Sequence, residues 1–447
     1  MRIIKISVKK LFNNLDLVVE LPNKGNVNIL YGPNGLGKTT VLSMIDALFN
    51  LRYKVFDEIP FSEFILNLDN GVSLELRKKV LSDKFTDIYE RRFRGGIHSD
   101  LQLSLNDGKS SATVDFIKVS PSANHVPNWF RQVKPDVWLD IRTRARYSTE
   151  ELVARYPRLS HLHKGAVNQE ERNKVEAIRK YLQLNKTYFI DTQRLRTSLP
   201  HDTETGGDGA ANESRSTPSV EMCSEKLINK IRQVALEYAT ISQTLERTFP
   251  QRLIKHVSRY KRVPNLLEKL NNLEGYRKEL LELGLSEPES VRVDPLKSVS
   301  KKFTHVLSLY LEDAVLKLNV YKELHKKMRL FVELVGKRFA AKEMKVSVLS
   351  GIQFFSSGSL IPLAKLSSGE QHELIMIYNL LFEIPSGTRV LIDEPEISLH
   401  VCWQEEFLKD LRAIGSLVGH SFIVATHSPS IINENWEYAT ELKNVKG

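Results

Sequence analysis

The sequence predicts an α/β fold, a mixed sheet whose strands come from both ends of the chain, with a large helical insertion between them. Three observations predict it. Residues 1–80 alternate short apolar strands with one amphipathic helix, and residues 386–430 resume that alternation. Between them, residues 220–343 keep apolar steps of three and four over long stretches.

Arg2-Ile3-Ile4-Lys5-Ile6-Ser7-Val8 reads as a first strand, and Leu15, Leu17, Val19 and Leu21 fall on one face of a second. Ile29-Leu30-Tyr31 is a buried strand, followed by an amphipathic helix through Val41, Met44, Ile45, Ala47 and Leu48. Asp69-Asn70-Gly71 is a hairpin turn between Ile65–Leu68 and Val72–Leu76. Asn106-Asp107-Gly108 likewise joins Leu101–Leu105 to Ala112–Phe116. Residues 85–186 form a mixed subregion with helices expected at 149–162 and 167–184, and close an N-terminal part spanning 1–200. Residues 201–219 are polar, rich in Gly and Ser and without apolar period, which predicts a flexible loop.

The insertion, 220–343, reads as three helices. The first carries Leu227, Ile231, Val234, Tyr238, Ile241 and Leu245. The second begins after Pro264 and stops at Gly284. The third is expected as one helix from about 299 to 341, roughly 65 Å long at 1.5 Å per residue. Such a length suits an arm or lid; a bundle packed on the head is the other arrangement three seams allow. The C-terminal part, 344–447, opens with short strands at Lys345–Leu349, Ile352–Phe355 and Leu360–Pro362, then a helix from His372 to Glu383 and a strand Val390-Leu391-Ile392.

Gly32-Pro33-Asn34-Gly35-Leu36-Gly37-Lys38-Thr39-Thr40 satisfies the full phosphate-loop pattern between a strand and a helix. Its glycines let backbone N–H groups turn toward phosphate oxygens, and the helix start adds positive potential. Lys38 is placed to reach the β- and γ-phosphates of ATP, and Thr39 to hold Mg²⁺. The apolar strand 390–392 ends in Asp393, suited to the Mg²⁺ shell, and Glu394, suited to orient or deprotonate the attacking water. Ser367, Ser368, Gly369 and Glu370 open a helix, as a second anion site, as a capping box, or as both.

This set resembles the ABC-type ATPases of the SMC-like, repair-like and OLD-like group, across roughly residues 1–80 and 345–440. Gly32 to Thr39 looks like its Walker A, Leu366 to Glu370 its signature, Asp393-Glu394 its Walker B and His427 its switch histidine. Gln193 is similar in placement to its Q-loop glutamine, which the resemblance implies at both nucleotide and Mg²⁺. Asp393-Glu394-Pro395-Glu396-Ile397-Ser398-Leu399-His400, followed by Trp403-Gln404, is similar to the PtuA-type ATPase subunits of Septu anti-phage systems and of Septu-like retrons. Ser368 stands where the usual signature has glycine, and His400 where the D-loop often has Asp.

The resemblance implies an ABC-ATPase head that pairs with a second copy across two ATPs, as a homodimer or higher oligomer. It implies a sensor and regulator of a separate effector, an HNH nuclease on another chain, with nucleic acid or a reverse-transcriptase/msDNA complex as further partners. The alternatives are a stand-alone repair or recombination ATPase that clamps DNA, and the scaffold of a PARIS-like system controlling a TOPRIM effector. Twenty residues follow His427, without paired carboxylates of nuclease spacing, so nuclease activity is not expected in this chain.

Composition fits a cytoplasmic machine. The chain has 447 residues with 41% hydrophobic content, and its apolar runs fall short of a membrane span. Cys223 and Cys402 are its cysteines, too few for a disulfide framework or a zinc site. The net charge of +10 suits a nucleic-acid partner. Basic residues gather at Arg91–Arg94, at Arg131, Arg142, Arg144 and Arg146, at Arg252–Arg262 and at Lys322–Arg329, with aromatics interleaved in the first two groups.

Overall fold

A computed structural model describes residues 2–22, 24–79, 100–108, 110–119, 130–134, 137–141, 144–148, 151, 169–191, 219–259, 264–286, 303–339, 341–397 and 399–445. The chain divides into two compact units, residues 1–195 with 386–447, and residues 196–385.

The first unit holds β1 (Ile3–Leu11), β2 (Leu15–Glu20), β3 (Val27–Tyr31), α1 (Lys38–Phe49), α2 (Tyr53–Glu58), β4 (Glu63–Leu68), β5 (Ser73–Lys79), β6 (Asp100–Asn106), β7 (Ser111–Asp115), α3 (Phe116–Val119), β8 (Phe130–Lys134), β9 (Val137–Asp140), β10 (Arg146–Ser148), α4 (Gln169–Leu184) and β11 (Thr187–Asp191). The second contributes α5 (Ser219–Arg259), α6 (Leu266–Glu282), α7 (Thr304–Leu318), α8 (Lys322–Arg338), β12 (Glu343–Ser347), β13 (Gly351–Ser356), β14 (Ser359–Ile361) and α9 (Ser368–Tyr378). The chain then returns to the first unit with β15 (Arg389–Asp393), α10 (Val401–Val418), β16 (Ser421–Thr426), α11 (Pro429–Ile432), β17 (Ala439–Glu441) and β18 (Lys443–Asn444).

A five-stranded parallel sheet carries the site, in the order β11-β15-β16-β3-β17. Strands β15 and β16 are almost wholly buried, as continuous apolar runs in a covered parallel sheet should be. An antiparallel sheet of order β18-β2-β1-β4-β5-β6-β7 lies in the same unit, its hairpins turning at Asp69–Gly71 and Asp107–Gly108. One core joins distant sequence: Leu30, Val41, Leu42, Ile45 and Phe49 pack with Leu391, Ile423 and Ala425. Asp46 of α1, almost fully buried, accepts from Asn50 Nδ2 at 2.7 Å and Thr187 Oγ1 at 2.8 Å, which fixes the helix against β11.

In the second unit α5 runs for 41 residues with Pro250 inside it. Proline removes a backbone donor and pushes the preceding turn open. The Leu245 carbonyl there accepts from Arg252 Nη2 at 2.8 Å and Thr248 Oγ1 at 3.3 Å, so side chains occupy a turn the proline disturbs. The same guanidinium pairs with both carboxylate oxygens of Asp313 on α7.

The single third helix expected over 299–341 is corrected to α7 and α8, joined by a 3₁₀ turn at Asn319–Tyr321. Asn, β-branched Val and Tyr are weak helix formers, and the chain tightens there without leaving helical geometry. Gly284, at φ +70, closes α6; a Cβ there would collide with the Val346 carbonyl. The helix α9 begins at Ser368, four residues before the expected start, and a π-helical turn, Asn379–Glu383, completes it. The expected helix at 149–162, apart from residue 151, and the loop 201–219, apart from residue 219, lie outside the described residues. Among the described residues no helix is long and apolar enough to cross a membrane.

Candidate active site

The phosphate loop leaves β3 and enters α1. Gly35 and Gly37 take φ of +83 and +85, left-handed values that glycine adopts without a Cβ penalty. Gly37 is the N-cap of α1 and, having no side chain, leaves the first N–H groups of the helix without a side-chain acceptor. An uncapped helix start behind such a turn suits an anion. Lys38 is folded onto its own loop: Nζ donates to Gly32 O at 3.0 Å and Pro33 O at 3.1 Å. Burial lowers the Lys38 pKa, against the pull of Glu394, Asp393 and Glu396.

Parallel pairing puts the other chemical groups at the same edge. Asp393 ends β15 between Asp191 of β11 and Ala425 of β16. It is 6% exposed and hydrogen-bonded to the Thr39 side chain. Burial first, then Glu394 and Asp191, push its carboxyl up to about 6, with Thr39 and Lys38 opposing. A buried carboxylate beside a hydroxyl and a second acid is a donor set that fits a hard divalent cation. Asp191 is a member of this group that motif reading missed; its signal is its place directly after the apolar run 188–190.

Glu394 sits at φ +46, a conformation rare outside glycine. Its N–H donates to Ala425 O at 2.8 Å, and Pro395 follows it into a short 3₁₀ turn. Strain held by such constraints is commonly found where a side chain must be aimed. The Glu394 carboxylate lies 3.2 Å from His427 Nε2. On the other side of the ring, His427 Nδ1 is 3.2 Å from Lys38 Nζ. Thus Lys38, Thr39, Asp393, Glu394 and His427 converge at one end of the sheet.

Ser367, Ser368, Gly369 and Glu370 belong to the second unit. There Ser367 caps α9 in a reciprocal capping box: its Oγ accepts from Glu370 N at 3.4 Å, and its own N–H donates to Glu370 Oε2 at 2.8 Å. Ser367 Oγ also donates to that oxygen at 2.9 Å, while Lys342 Nζ holds Glu370 Oε1 at 2.6 Å. Burial pushes the Glu370 carboxyl up, but Lys342 and Ser367 outweigh it and hold it below the ordinary range. Gln193 lies outside the described residues, as do Arg91–Arg94, Arg142, Lys261 and Arg262. Arg252, read from sequence as part of a basic surface, is instead committed to Asp313. Lys322, Lys326 and Arg329 are exposed, and Lys327 is half-buried.

The chain is similar, at 11% identity and a TM-score of 0.33, to an Smc head domain with an extended coiled coil bound to the C-terminal domain of ScpA from Pyrococcus furiosus, covering 99% of this chain and 95% of that one. It is similar, at 10% identity and a TM-score of 0.34, to an Smc head bound to the C-winged helix domain of ScpA, covering 99% of this chain and 97% of that one. Comparison with curated proteins gives no match. A family match spans residues 1–432, taking in the phosphate loop, Asp393, Glu394 and His427. The chain belongs to the AAA ATPase domain family.

Proposed function

We propose that this ATPase hydrolyses ATP at the converging end of its parallel sheet and uses the cycle to control a separate effector. The observation that carries the first half is the line Lys38–His427–Glu394 beside the uncapped start of α1. In this reading the phosphate loop and Lys38 bind the phosphates, Glu394 orients or deprotonates the attacking water, and His427 senses the γ-phosphate. Thr39 and Asp393 would hold Mg²⁺, with Gln193 as a further ligand; the ion neutralises charge on phosphate oxygens. Ser367 would serve the nucleotide of a second copy of the chain, giving a homodimer or a larger assembly of such pairs. Phosphate release from ATP by the purified chain, dependent on Mg²⁺, tests this reading; a preparation that binds no nucleotide would overturn it.

The second half rests on the resemblance carried by Asp393–His400 and Trp403-Gln404 to ATPase subunits of anti-phage systems. The proposed effector is a nuclease on its own chain, HNH-type by that resemblance. Co-purification from the native operon tests it: an associated nuclease supports the proposal, and a chain that purifies alone while protecting cells from phage contradicts it. A second reading, a DNA-clamping ATPase, draws on Lys322, Lys326 and Arg329, exposed at four- and three-residue steps along α8. Replacing these three by Glu should leave basal ATP hydrolysis intact and abolish nucleic-acid binding that weakens steeply with salt. Binding unchanged by the triple replacement would remove that reading's support.

A further inference from the structure

We propose that Glu396 is a positioning residue for His427, its carboxylate bracing the turn that holds the imidazole between Lys38 and Glu394. The proposal rests on the ATPase reading above and assigns a task to an acid which that reading leaves without one.

Glu396 lies two residues beyond Glu394 in the 3₁₀ turn Pro395–Ile397. Its two carboxylate oxygens are used separately. Oε1 accepts from the backbone N–H of His427 at 2.8 Å. Oε2 accepts from Thr426 Oγ1 at 2.9 Å. Thr426 is fully buried at the end of β16, and its Oγ1 in turn accepts from Ser428 N at 3.0 Å. One side chain therefore fixes three consecutive residues, 426 to 428. Bonds to an ionised acceptor are roughly twice as strong as neutral ones.

A second brace runs in parallel. Gln404, 8% exposed on α10, donates from Nε2 to Glu396 O and to Leu399 O, both at 3.4 Å. Its Oε1 accepts from Ser428 Oγ at 2.8 Å. The acidic turn and the histidine turn are thus tied side chain to backbone and side chain to side chain.

The consequence concerns the ring. His427 meets Lys38 and Glu394 at 3.2 Å each, on opposite nitrogens. A displacement of about 1 Å at its backbone would lose both contacts, and misplacement on that scale can cost on the order of a hundredfold in rate. Two acceptors are needed at position 396, because both neighbours donate. Glutamine keeps one acceptor oxygen, and alanine keeps none.

The test compares Glu396→Ala and Glu396→Gln with the unaltered chain. For Glu396→Ala the expected result is a fall in kcat of at least tenfold, with the affinity for a fluorescent ATP analogue within twofold and the melting temperature retained. Glu396→Gln should recover part of that loss. A kcat within twofold in Glu396→Ala overturns the proposal, and so does a parallel loss of nucleotide affinity and folding. A second readout is independent of turnover. In ¹⁵N-histidine spectra of the nucleotide-free protein, with the signal assigned through His427→Gln, the unaltered chain should show the Nε2-protonated tautomer. Glu396→Ala should shift that signal toward a tautomer mixture, and an unchanged signal overturns the inference. If the unaltered chain fails to hydrolyse ATP, the ATPase reading falls, while the spectra still decide the role of Glu396.

Discussion

Lys38 and His427 stand 389 positions apart in sequence and meet at 3.2 Å, Nζ to Nδ1. A lysine ammonium has donors and no acceptor, so Nδ1 accepts and the ring proton resides on Nε2. That proton faces Glu394 Oε1 at 3.2 Å. One imidazole therefore contacts both the Lys38 side-chain nitrogen and the Glu394 carboxylate. In the ATPase cycle proposed above, phosphate oxygens would compete for Lys38 and so change what His427 can do.

Lys38→Ala and Glu394→Gln should separate binding from chemistry. Losing a charge-assisted partner of the phosphates costs about 1.5–3 kcal/mol, so Lys38→Ala should weaken ATP binding about tenfold to a hundredfold. Glu394→Gln should bind ATP as the unaltered chain does and turn over about 10²- to 10⁴-fold more slowly. Titration of a fluorescent ATP analogue alongside phosphate release distinguishes them; equal loss of affinity in both would refute the assigned roles.

Asp393 should make the nucleotide-free protein less stable at neutral pH than it could be. Its folded-state pKa of about 6 exceeds the ordinary 3.8. A raised carboxyl costs nothing below its unfolded value; the penalty grows as pH rises through that interval and is complete above the folded value. At 1.36 kcal/mol per unit the full penalty is on the order of 3 kcal/mol. Asp393→Asn should accordingly raise the melting temperature at pH 7, with the difference closing as pH falls toward 4. Mg²⁺ should reverse the order by stabilising only the unaltered protein. Thermal melts over this pH range check both signs, and an unchanged melting temperature at pH 7 would contradict the burial argument.

Ser367 should act for a neighbouring chain. Ser367→Arg is expected to block hydrolysis and spare ATP binding. Mixed with Lys38→Ala chains, it should restore one complete site per pair and recover at most about half the activity, less if the sites are coupled. Absence of recovery in a mixture shown to exchange subunits would exclude shared sites.

Arg252 should be a stability residue. Asp313 is almost fully buried, so Arg252→Ala leaves an uncompensated carboxylate. Loss of a fully buried partner costs about 3–5 kcal/mol, and the partial exposure of this guanidinium brings the expectation nearer 2. Arg252→Met with Asp313→Leu should recover most of that loss in denaturant melts. A single variant within 0.5 kcal/mol, about the size of an ordinary surface substitution, would show the pair to be idle.

What could be read in advance follows from how local each feature is. The phosphate loop is nine adjacent residues whose chemistry is written in their order, and strands, hairpins and most helix limits follow from period and turn type. Convergence of Lys38 with His427 was legible only as an expectation carried by resemblance, because nothing in the intervening sequence states which strands become neighbours. Glu396 was visible as a residue and silent as a function, since both of its partners come from another strand end. Arg252 was misread for the opposite reason: its charge is explicit, while Asp313, which consumes it, lies on another helix.

The strand order has a consequence for how the chain is made. In β11-β15-β16-β3-β17 the two strands synthesised early, β3 and β11, are separated by two strands synthesised late. Until residues 389–426 leave the ribosome, β15 and β16 are missing from between β3 and β11, and α1 lacks part of the sheet it packs on. Closing so long a span costs entropy before any contact repays it, and parallel pairing at this separation is slow. Leu30 and Val41 can meet the early part of their core, such as Ile6, Leu17 and Phe64, but not Leu391, Ile423 and Ala425 until then. A product stopped before residue 389 therefore carries residues 32–40 without the strands that bring Asp393, Glu394 and His427 to them.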